Sequence, residues 1–184
     1  MQPTEILKEE HRIIEKMLKI VDTLCDRLEK DQKIEIEHFR KAVDFIKNFA
    51  DKCHHGKEED VLFTMLVEKG MRKEAGPIGV MLDEHKMGRN FVKNLNEAID
   101  KFEKGDKSAK DQIIENARSY TQLLKQHILK EDRILYPMGD RILTPDDQKE
   151  LLEDFERVEK EEMGEGVHQK YHKLVEELEK QLGI

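Results

Sequence analysis

The hydrophobic residues of this chain recur mainly at alternating steps of three and four, which is the spacing of one face of an α-helix. The first stripe contains Leu7, His11, Ile14, Leu18, Val21, Cys25 and Leu28, and the second contains Phe39, Val43, Ile46, Ala50, His54, Glu58, Val61 and Met65. The third contains Ile78, Met81, His85, Gly88, Val92, Leu95, Ile99 and Phe102, and the fourth contains Ile113, Ala117, Tyr120, Leu124, His127, Glu131 and Ile134. The sequence therefore predicts an all-α protein built on four amphipathic helices.

Capping and helix-breaking residues indicate where these helices begin and end. Thr4 can cap the first helix, which we expect to run to about Lys30, and Gly70 ends the second. The remaining limits are Pro77 and Gly105 for the third helix, and Ser108 and about Gly139 for the fourth. Connections this short favour antiparallel neighbours, so we expect an up-down-up-down four-helix bundle.

The last part of the chain predicts two additional helices. Thr144 and Pro145 mark the start of a fifth helix, and Gly164 separates it from a sixth. We therefore expect residues 1–140 to form the bundle, and residues 141–184 to form a C-terminal helical extension that packs on it.

The two halves of the bundle repeat each other. His11 aligns with His85 at an offset of 74 residues. The segment 54–63, HHGKEEDVLF, aligns with the segment 127–136, HILKEDRILY, at an offset of 73. Two copies of a helical hairpin would be related by a pseudo-twofold axis, which suits a symmetric pair of metal ions.

Each stripe carries one histidine, and the second and fourth stripes also carry a glutamate one turn later. The six residues are His11, His54, Glu58, His85, His127 and Glu131. Antiparallel packing places all six in one layer, and buried carboxylates beside imidazoles need a cation to neutralise them. Imidazole and oxygen ligands suit iron or manganese better than a closed structural zinc site. We therefore predict that these six residues bind two metal ions; the sequence indicates no catalytic residue.

The second helix contains two overlapping His-x-x-x-Glu pairs. His54 and Glu58 continue the apolar stripe, whereas the residues one turn before His55 are polar. The internal repeat selects the same register, so we predict that His55 and Glu59 lie behind the ligands or at the surface. Glu59 and Asp132 could still orient ligand imidazoles.

The sequence also supports expectations about the position or role of five other residues. Tyr120 is either a core residue or a hydrogen-bond partner of a bound ligand, and Gly88 either leaves room for a small ligand or permits close helix packing. His168 lies on the buried face of the last helix, where it caps the bundle or approaches the metal layer. The sequence does not decide whether His168 or His172 contributes to the site. His38 is predicted to lie at the surface.

The composition restricts the class of partner and the location. A net charge of −8 argues against a nucleic-acid partner. No stretch approaches about 18 apolar residues, so we expect no membrane span. The N-terminus has no signal-peptide core, and Cys25 and Cys53 show no disulfide framework, so we expect a cytoplasmic protein. The pattern leaves the oligomeric state and the electron donor open.

The six predicted ligands, with the flanking strings KEEDVLF and KEDRILYP, resemble the pattern of the hemerythrin-like HHE cation-binding family over residues 1 to about 140. The resemblance implies a non-haem di-iron centre bridged by two carboxylates and a solvent-derived oxygen. Its cofactors would be two iron ions, with manganese or zinc as substitutes. It also implies an open coordination position for a small diatomic ligand such as oxygen or nitric oxide.

The chain differs from the oxygen-carrying members of this family in two places. Those members have a second histidine one turn after the third-helix ligand, where this chain has Arg89. They also have an Asp five residues after the last histidine, whereas the repeat here favours Glu131, four residues after His127. This set is one imidazole short of the carrier set, which disfavours reversible oxygen storage.

Three functional hypotheses follow from these observations. The leading one is a di-iron protein that binds iron and a diatomic ligand, oxygen or a related molecule, for sensing, storage or detoxification. The alternative is a di-iron enzyme that acts on nitric oxide or peroxide, or supports iron–sulfur cluster repair. The third is a structural or regulatory bundle whose metal only holds the fold.

Overall fold

The computed structural model describes residues 1–162, 164 and 166–184, which form six helices. These are α1 (Pro3–Glu29), α2 (residues 36–68), α3 (Pro77–Glu103), α4 (residues 109–142), α5 (Pro145–Glu162) and α6 (Val167–Leu182). The predicted all-α class, a four-helix bundle with two additional C-terminal helices, is confirmed. Over the described ranges, no helix combines the length and the apolar composition needed to cross a membrane.

Helices α1 to α4 pack as a ring in which each contacts the next and α4 returns to α1. Short connections join them, which gives the antiparallel arrangement. The predicted stripes form the interior of the bundle. Their members are buried except for Phe102, which is half-buried, and Ile134, which is exposed.

Two of the bundle helices contain wider, π-helical turns. In α2 these turns span Ile46–His55 and Lys57–Leu62, and in α4 they span Glu131–Leu135. A π turn closes its hydrogen bonds over five residues instead of four, so it changes which side chains face the core. Ile134 is therefore 50% exposed, contrary to the prediction, and Leu135 takes the buried position.

The C-terminal helices α5 and α6 both pack against α1 and α2. Helix α5 buries Leu151 and Phe155, and α6 contributes Tyr171, Val175, Leu178 and Leu182 to the main core. This shared core leads us to propose that the extension folds together with the bundle. The division of the chain at residue 140 stays a prediction.

Two polar residues lie elsewhere than predicted, because α6 packs over His38 and α1 begins before Thr4. His38 is not at the surface: it is only 9% exposed, and its Nε2 lies 3.1 Å from Oε1 of Gln181. Thr4 does not cap α1, since the cap residue is Gln2, two residues earlier, and Thr4 lies inside the helix. The hydroxyl of Thr4 instead donates to Asp140 at 2.8 Å.

We expect Leu178→Ala to lower the free energy of unfolding of the whole chain by about 2–5 kcal/mol, because it leaves a cavity in the shared core. The exposed neighbour Glu177 provides the control, and Glu177→Ala should change stability by less than about 0.5 kcal/mol. Urea unfolding followed by circular dichroism measures both values. A separate early transition in Leu178→Ala would contradict folding as one unit.

Candidate metal centre

Two groups of buried side chains at one level of the bundle can each hold a metal ion. The first group consists of His11, His54, Glu58 and Glu131, and the second consists of His55, Glu58, His85 and His127. Within each group the donor atoms lie within 4.8 Å of one another. Glu58 belongs to both groups, so its carboxylate joins the two places. All six side chains predicted from the sequence lie here, and their role as ligands stays a prediction.

The π-helical turns of α2 place both His54 and His55 in this centre. Neighbours in a regular α-helix are rotated by about 100° from each other, so only one of them would face inward. His55 is nevertheless 5% exposed, and its ring stacks on that of His85 with 3.8 Å between the centroids. The expectation that His55 lies at the surface is therefore wrong, and its place among the donors of the second group leads us to propose it as a further ligand.

A carboxylate orients each of the five imidazoles through its Nδ1 atom. The pairs are His11 with Asp132 at 2.8 Å, His54 with Glu10 at 2.8 Å, His55 with Asp51 at 3.3 Å, His85 with Glu59 at 2.6 Å, and His127 with Glu84 at 2.9 Å. An Nδ1–H that donates to a carboxylate leaves Nε2 as the metal-binding nitrogen. Sequence reasoning proposed this role for Glu59 and Asp132 and missed Glu10, Asp51 and Glu84.

Basic side chains neutralise these orienting carboxylates in turn. Arg12 pairs with Asp132, Lys57 with Glu10, Lys130 with Glu84, and Arg89 with both Asp51 and Glu59. Arg89 stands where the oxygen carriers have a ligand histidine, and here it holds the carboxylates that orient His55 and His85. The imidazoles are thus surrounded by carboxylates, and the carboxylates in turn by basic side chains.

The carboxylates at the centre fit a metal pair. Glu58 and Glu131 are fully buried, and Oε2 of Glu58 and both oxygens of Glu131 have no hydrogen-bond partner among the described residues. Burial opposes ionisation of Glu58, but the nearby imidazoles outweigh it and hold its pKa well below the usual range. Ionised oxygens without donors are strongly unfavourable inside a protein unless a cation binds them.

The imidazoles of the second group also fit a bound metal ion. Nε2 of His85 lies 3.0 Å from Nε2 of His127, while the Nδ1 atoms of both rings face carboxylates. In the tautomer that these carboxylates favour, two lone pairs point at each other and need a shared cation. Two nitrogens that bind one metal at about 2.1 Å each, at a right angle, lie about 3.0 Å apart. The observed spacing fits that arrangement.

Protonation can replace the metal in neutralising this centre. Burial lowers the pKa of His11, but the hydrogen bond to Asp132 and the negative charge of Glu131, 3.2 Å away, outweigh it and raise the pKa to about 9. Burial likewise lowers the pKa of His127, but the negative charge of Glu131, 3.1 Å away, and the hydrogen bond to Glu84 outweigh it and raise the pKa to about 10. The same carboxylates that suit a metal ion therefore hold protons in its absence.

Tyr136 is a further residue of the centre that sequence reasoning missed. It is fully buried, its hydroxyl donates to Oε1 of Glu58 at 2.5 Å, and it lies 3.4 Å from Nε2 of His11. Its ring also stacks on His11, with 5.6 Å between the centroids. Tyr136 lies within the string KEDRILYP, but the internal repeat aligns it with Phe63, so the repeat gave no signal for a polar role.

The two C-terminal histidines lie outside the two central groups. His168 Nε2 is 3.5 Å from Glu10, and His168 forms a third group with Glu10 and Glu159. The ammonium group of Lys57 lies 2.5 Å from Glu10 and 3.1 Å from Glu159, so a lysine already supplies the positive charge there. His172 lies beside His168, with 4.7 Å between the ring centroids.

The family model of the hemerythrin HHE cation-binding domain matches residues 2–139. The chain belongs to this family. Uncharacterized proteins of Mycobacterium bovis and of two Mycobacterium tuberculosis strains are each 24% identical to this hemerythrin-like chain over 180 residues. The matches cover 98% of this chain and 70% of each relative. No solved structure matches it significantly.

The halves of this hemerythrin-like bundle are alike in most of the centre and differ in several positions. The matching residues are His11 and His85, His54 and His127, Glu58 and Glu131, Glu59 and Asp132, Glu10 and Glu84, and Lys57 and Lys130. The differing pairs include His55 and Ile128, Asp51 and Leu124, Arg89 and Glu15, Tyr136 and Phe63, and Gly88 and Ile14. Each difference changes the space or the polarity around one of the two groups, so the two groups are not equivalent.

The raised pKa values of His11 and His127 predict how the stability of metal-free protein depends on pH. Unfolded imidazole titrates near pH 6.5, so the stabilisation is fully present below that pH and is lost as the pH rises towards about 10. Calorimetry between about pH 6.5 and 9.5 should show a falling melting temperature for chelated protein.

Iron-loaded protein is the control for this experiment, because bound metal replaces the protons. It should melt at a higher temperature than the chelated form and depend less on pH over the same range. Parallel pH profiles of the two forms would contradict the assignment of these imidazoles to a metal centre.

Proposed function

We propose that this chain is a non-haem di-iron protein that binds two iron ions and a small diatomic ligand, oxygen or a related molecule, for sensing, storage or detoxification. The observation that carries the proposal is the pair of ligand groups joined by the carboxylate of Glu58. Membership of a cation-binding family supports the metal, and the oxygen and imidazole donors favour iron. If these residues hold two iron ions, the metal would supply electrons to a bound diatomic ligand.

The side chains around the centre perform three tasks in this proposal. The five orienting carboxylates fix the rotation of the imidazoles and the nitrogen that each presents. The apolar stripes above and below the layer exclude bulk water. The hydroxyl of Tyr136 donates a hydrogen bond to Oε1 of Glu58, with 2.5 Å between the two oxygens, and so holds a proton inside the centre.

His55 alters the comparison with the oxygen carriers. Counting along the stripes gives four imidazoles, because Arg89 replaces the histidine expected one turn after His85. His55 supplies a fifth from a neighbouring helix and lies in the second group with His85 and His127. The missing histidine of α3 is therefore no argument against reversible ligand binding.

Tyr136 favours a second candidate function, an enzyme that reduces peroxide or nitric oxide. Reduction of hydrogen peroxide to two waters consumes two electrons and two protons. A buried phenol that already donates to Glu58 is a proton donor inside the centre, whereas simple binding of oxygen needs none. The related role in iron–sulfur cluster repair has no separate observation in its favour.

Metal content tests the assignment of ligands. We expect iron-reconstituted protein to contain about two ions per chain, one for each group. Glu58→Ala should lower the occupancy of both, since Glu58 belongs to both groups. His55→Ile, which copies the aligned Ile128, should remove only the iron of the second group and leave about one per chain.

Two matched controls accompany these variants. Glu59→Ala removes the hydrogen bond to His85 and the ion pair with Arg89 but no proposed ligand, so it should weaken iron affinity by about 10- to 100-fold and leave most iron bound at saturation. Ile128→Val changes the residue that the internal repeat aligns with His55 and alters no proposed ligand, so this variant should still bind two ions. Equal losses in Glu58→Ala and Glu59→Ala would contradict the role given to Glu58.

Stopped-flow spectra of the reduced, iron-loaded protein separate the functions. A persistent adduct with oxygen that is lost under argon supports binding, whereas repeated turnover of peroxide or nitric oxide supports an enzyme. For an enzyme, Tyr136→Phe should slow turnover by about 10²- to 10⁴-fold, the contribution of a general acid. No spectral change with any of the three would leave only the structural role of the metal.

A further inference from the structure

A cavity of about 230 Å³ lies between α2, α3 and α4, beside the second ligand group. Its buried end is formed by His55, His85 and His127, and its walls include Ile46, Val92 and Leu124. The cavity therefore connects an apolar space to one of the two proposed metal positions.

The cavity is larger than a diatomic ligand requires. An engineered apolar cavity of about 150 Å³ binds benzene, and this one exceeds that volume. Its charged lining has three residues of each sign, so it favours neither an anion nor a cation: Lys47, Arg89 and Lys93 against Asp51, Glu84 and Glu97. The space suits a neutral molecule about as large as a six-membered ring.

Tyr120 adds one polar group to this apolar space. Its side chain lines the cavity, the residue is 2% exposed, and its hydroxyl has no hydrogen-bond partner in the part of the chain that the structure describes. Burial raises the pKa of Tyr120 far above its usual range, so the group stays protonated. A buried hydroxyl without a partner is unfavourable, and an acceptor on a bound molecule would satisfy it.

The internal repeat shows that the cavity is particular to one half of the bundle. Gly88 lines it, and the aligned position in the other half holds Ile14, which is buried in the core. A Cβ atom at Gly88 would lie 3.5 Å from the ring of Tyr120, which is an ordinary contact distance. Close helix packing therefore does not require glycine at this position, and its absent side chain leaves the space open.

We propose that this cavity binds a small neutral organic molecule with an apolar body about the size of a six-membered ring and an oxygen that accepts a hydrogen bond from Tyr120. This inference deepens the proposed function and rests on it, because the molecule would lie beside the iron held by His55, His85 and His127. A diatomic ligand would then share the site with a second, organic ligand.

Titration calorimetry of iron-loaded protein with benzene and with phenol tests the proposal. Benzene measures the fit of the apolar body, and phenol adds one oxygen. We expect both molecules to bind, phenol with the higher affinity. Tyr120→Phe should lower the affinity for phenol by about fivefold and leave the affinity for benzene unchanged. Gly88→Ile should lower both affinities by at least about tenfold, because its side chain fills the cavity as Ile14 fills the aligned space in the other half.

Tyr171→Phe is the matched control, since it removes a buried hydroxyl that donates to Asp44 outside the cavity. It should leave both affinities unchanged. Absence of benzene binding, or equal benzene affinity in Gly88→Ile, would overturn the proposal, and so would a phenol affinity that Tyr120→Phe does not lower. Iron content measured on every sample keeps the two proposals apart: iron without benzene binding contradicts the cavity alone, and benzene binding without iron contradicts the metal centre alone.

Discussion

The buried carboxylates of Glu58 and Glu131 impose the constraint on which the rest of the centre depends. Neither can remain ionised in an apolar bundle without nearby positive charge. The imidazoles provide this positive charge, either by binding protons or by holding a metal cation. Five outer carboxylates then orient those imidazoles through hydrogen bonds. Arg12, Lys57, Arg89 and Lys130 complete the sequence of alternating charges. Much of the charge between the helices is thus organised around two side chains.

The π-helical turns determine how many donors fit into this layer. In a regular α-helix only one histidine of the His54–His55 pair would face the core. The internal repeat aligns His55 with Ile128, so it gives no reason to expect a second inward-facing histidine. The wider turns Ile46–His55 and Lys57–Leu62 bring both rings inward and also bury Lys57 against Glu10. Such turns often occur at functional sites, where they re-aim side chains that the helical period would separate.

The sequence predicts those parts of the structure that follow from helical spacing. The four stripes, the bundle and the meeting of His11, His54, His85 and His127 in one layer all depend only on the period and on short connections. The place of His55 and the exposure of Ile134 could not be predicted, because a π turn has no signature in the pattern of apolar residues. Glu10 and Glu84 did carry a signal, since each precedes an aligned histidine in the repeat. Their contacts cross between helices, however, and need the three-dimensional arrangement.

The departures from the repeat show where the two halves have become chemically different. His55 and Gly88 both change the second group, one by adding an imidazole and the other by opening space beside it. Tyr136 changes the first group, where its hydroxyl donates a hydrogen bond to the shared carboxylate. A centre that only held the fold would gain nothing from an open cavity and a buried Tyr120 hydroxyl that has no partner among the described residues, both of which lower stability. Both destabilising features lie beside the second group and not beside the first. A ligand that enters next to the second group best explains this difference.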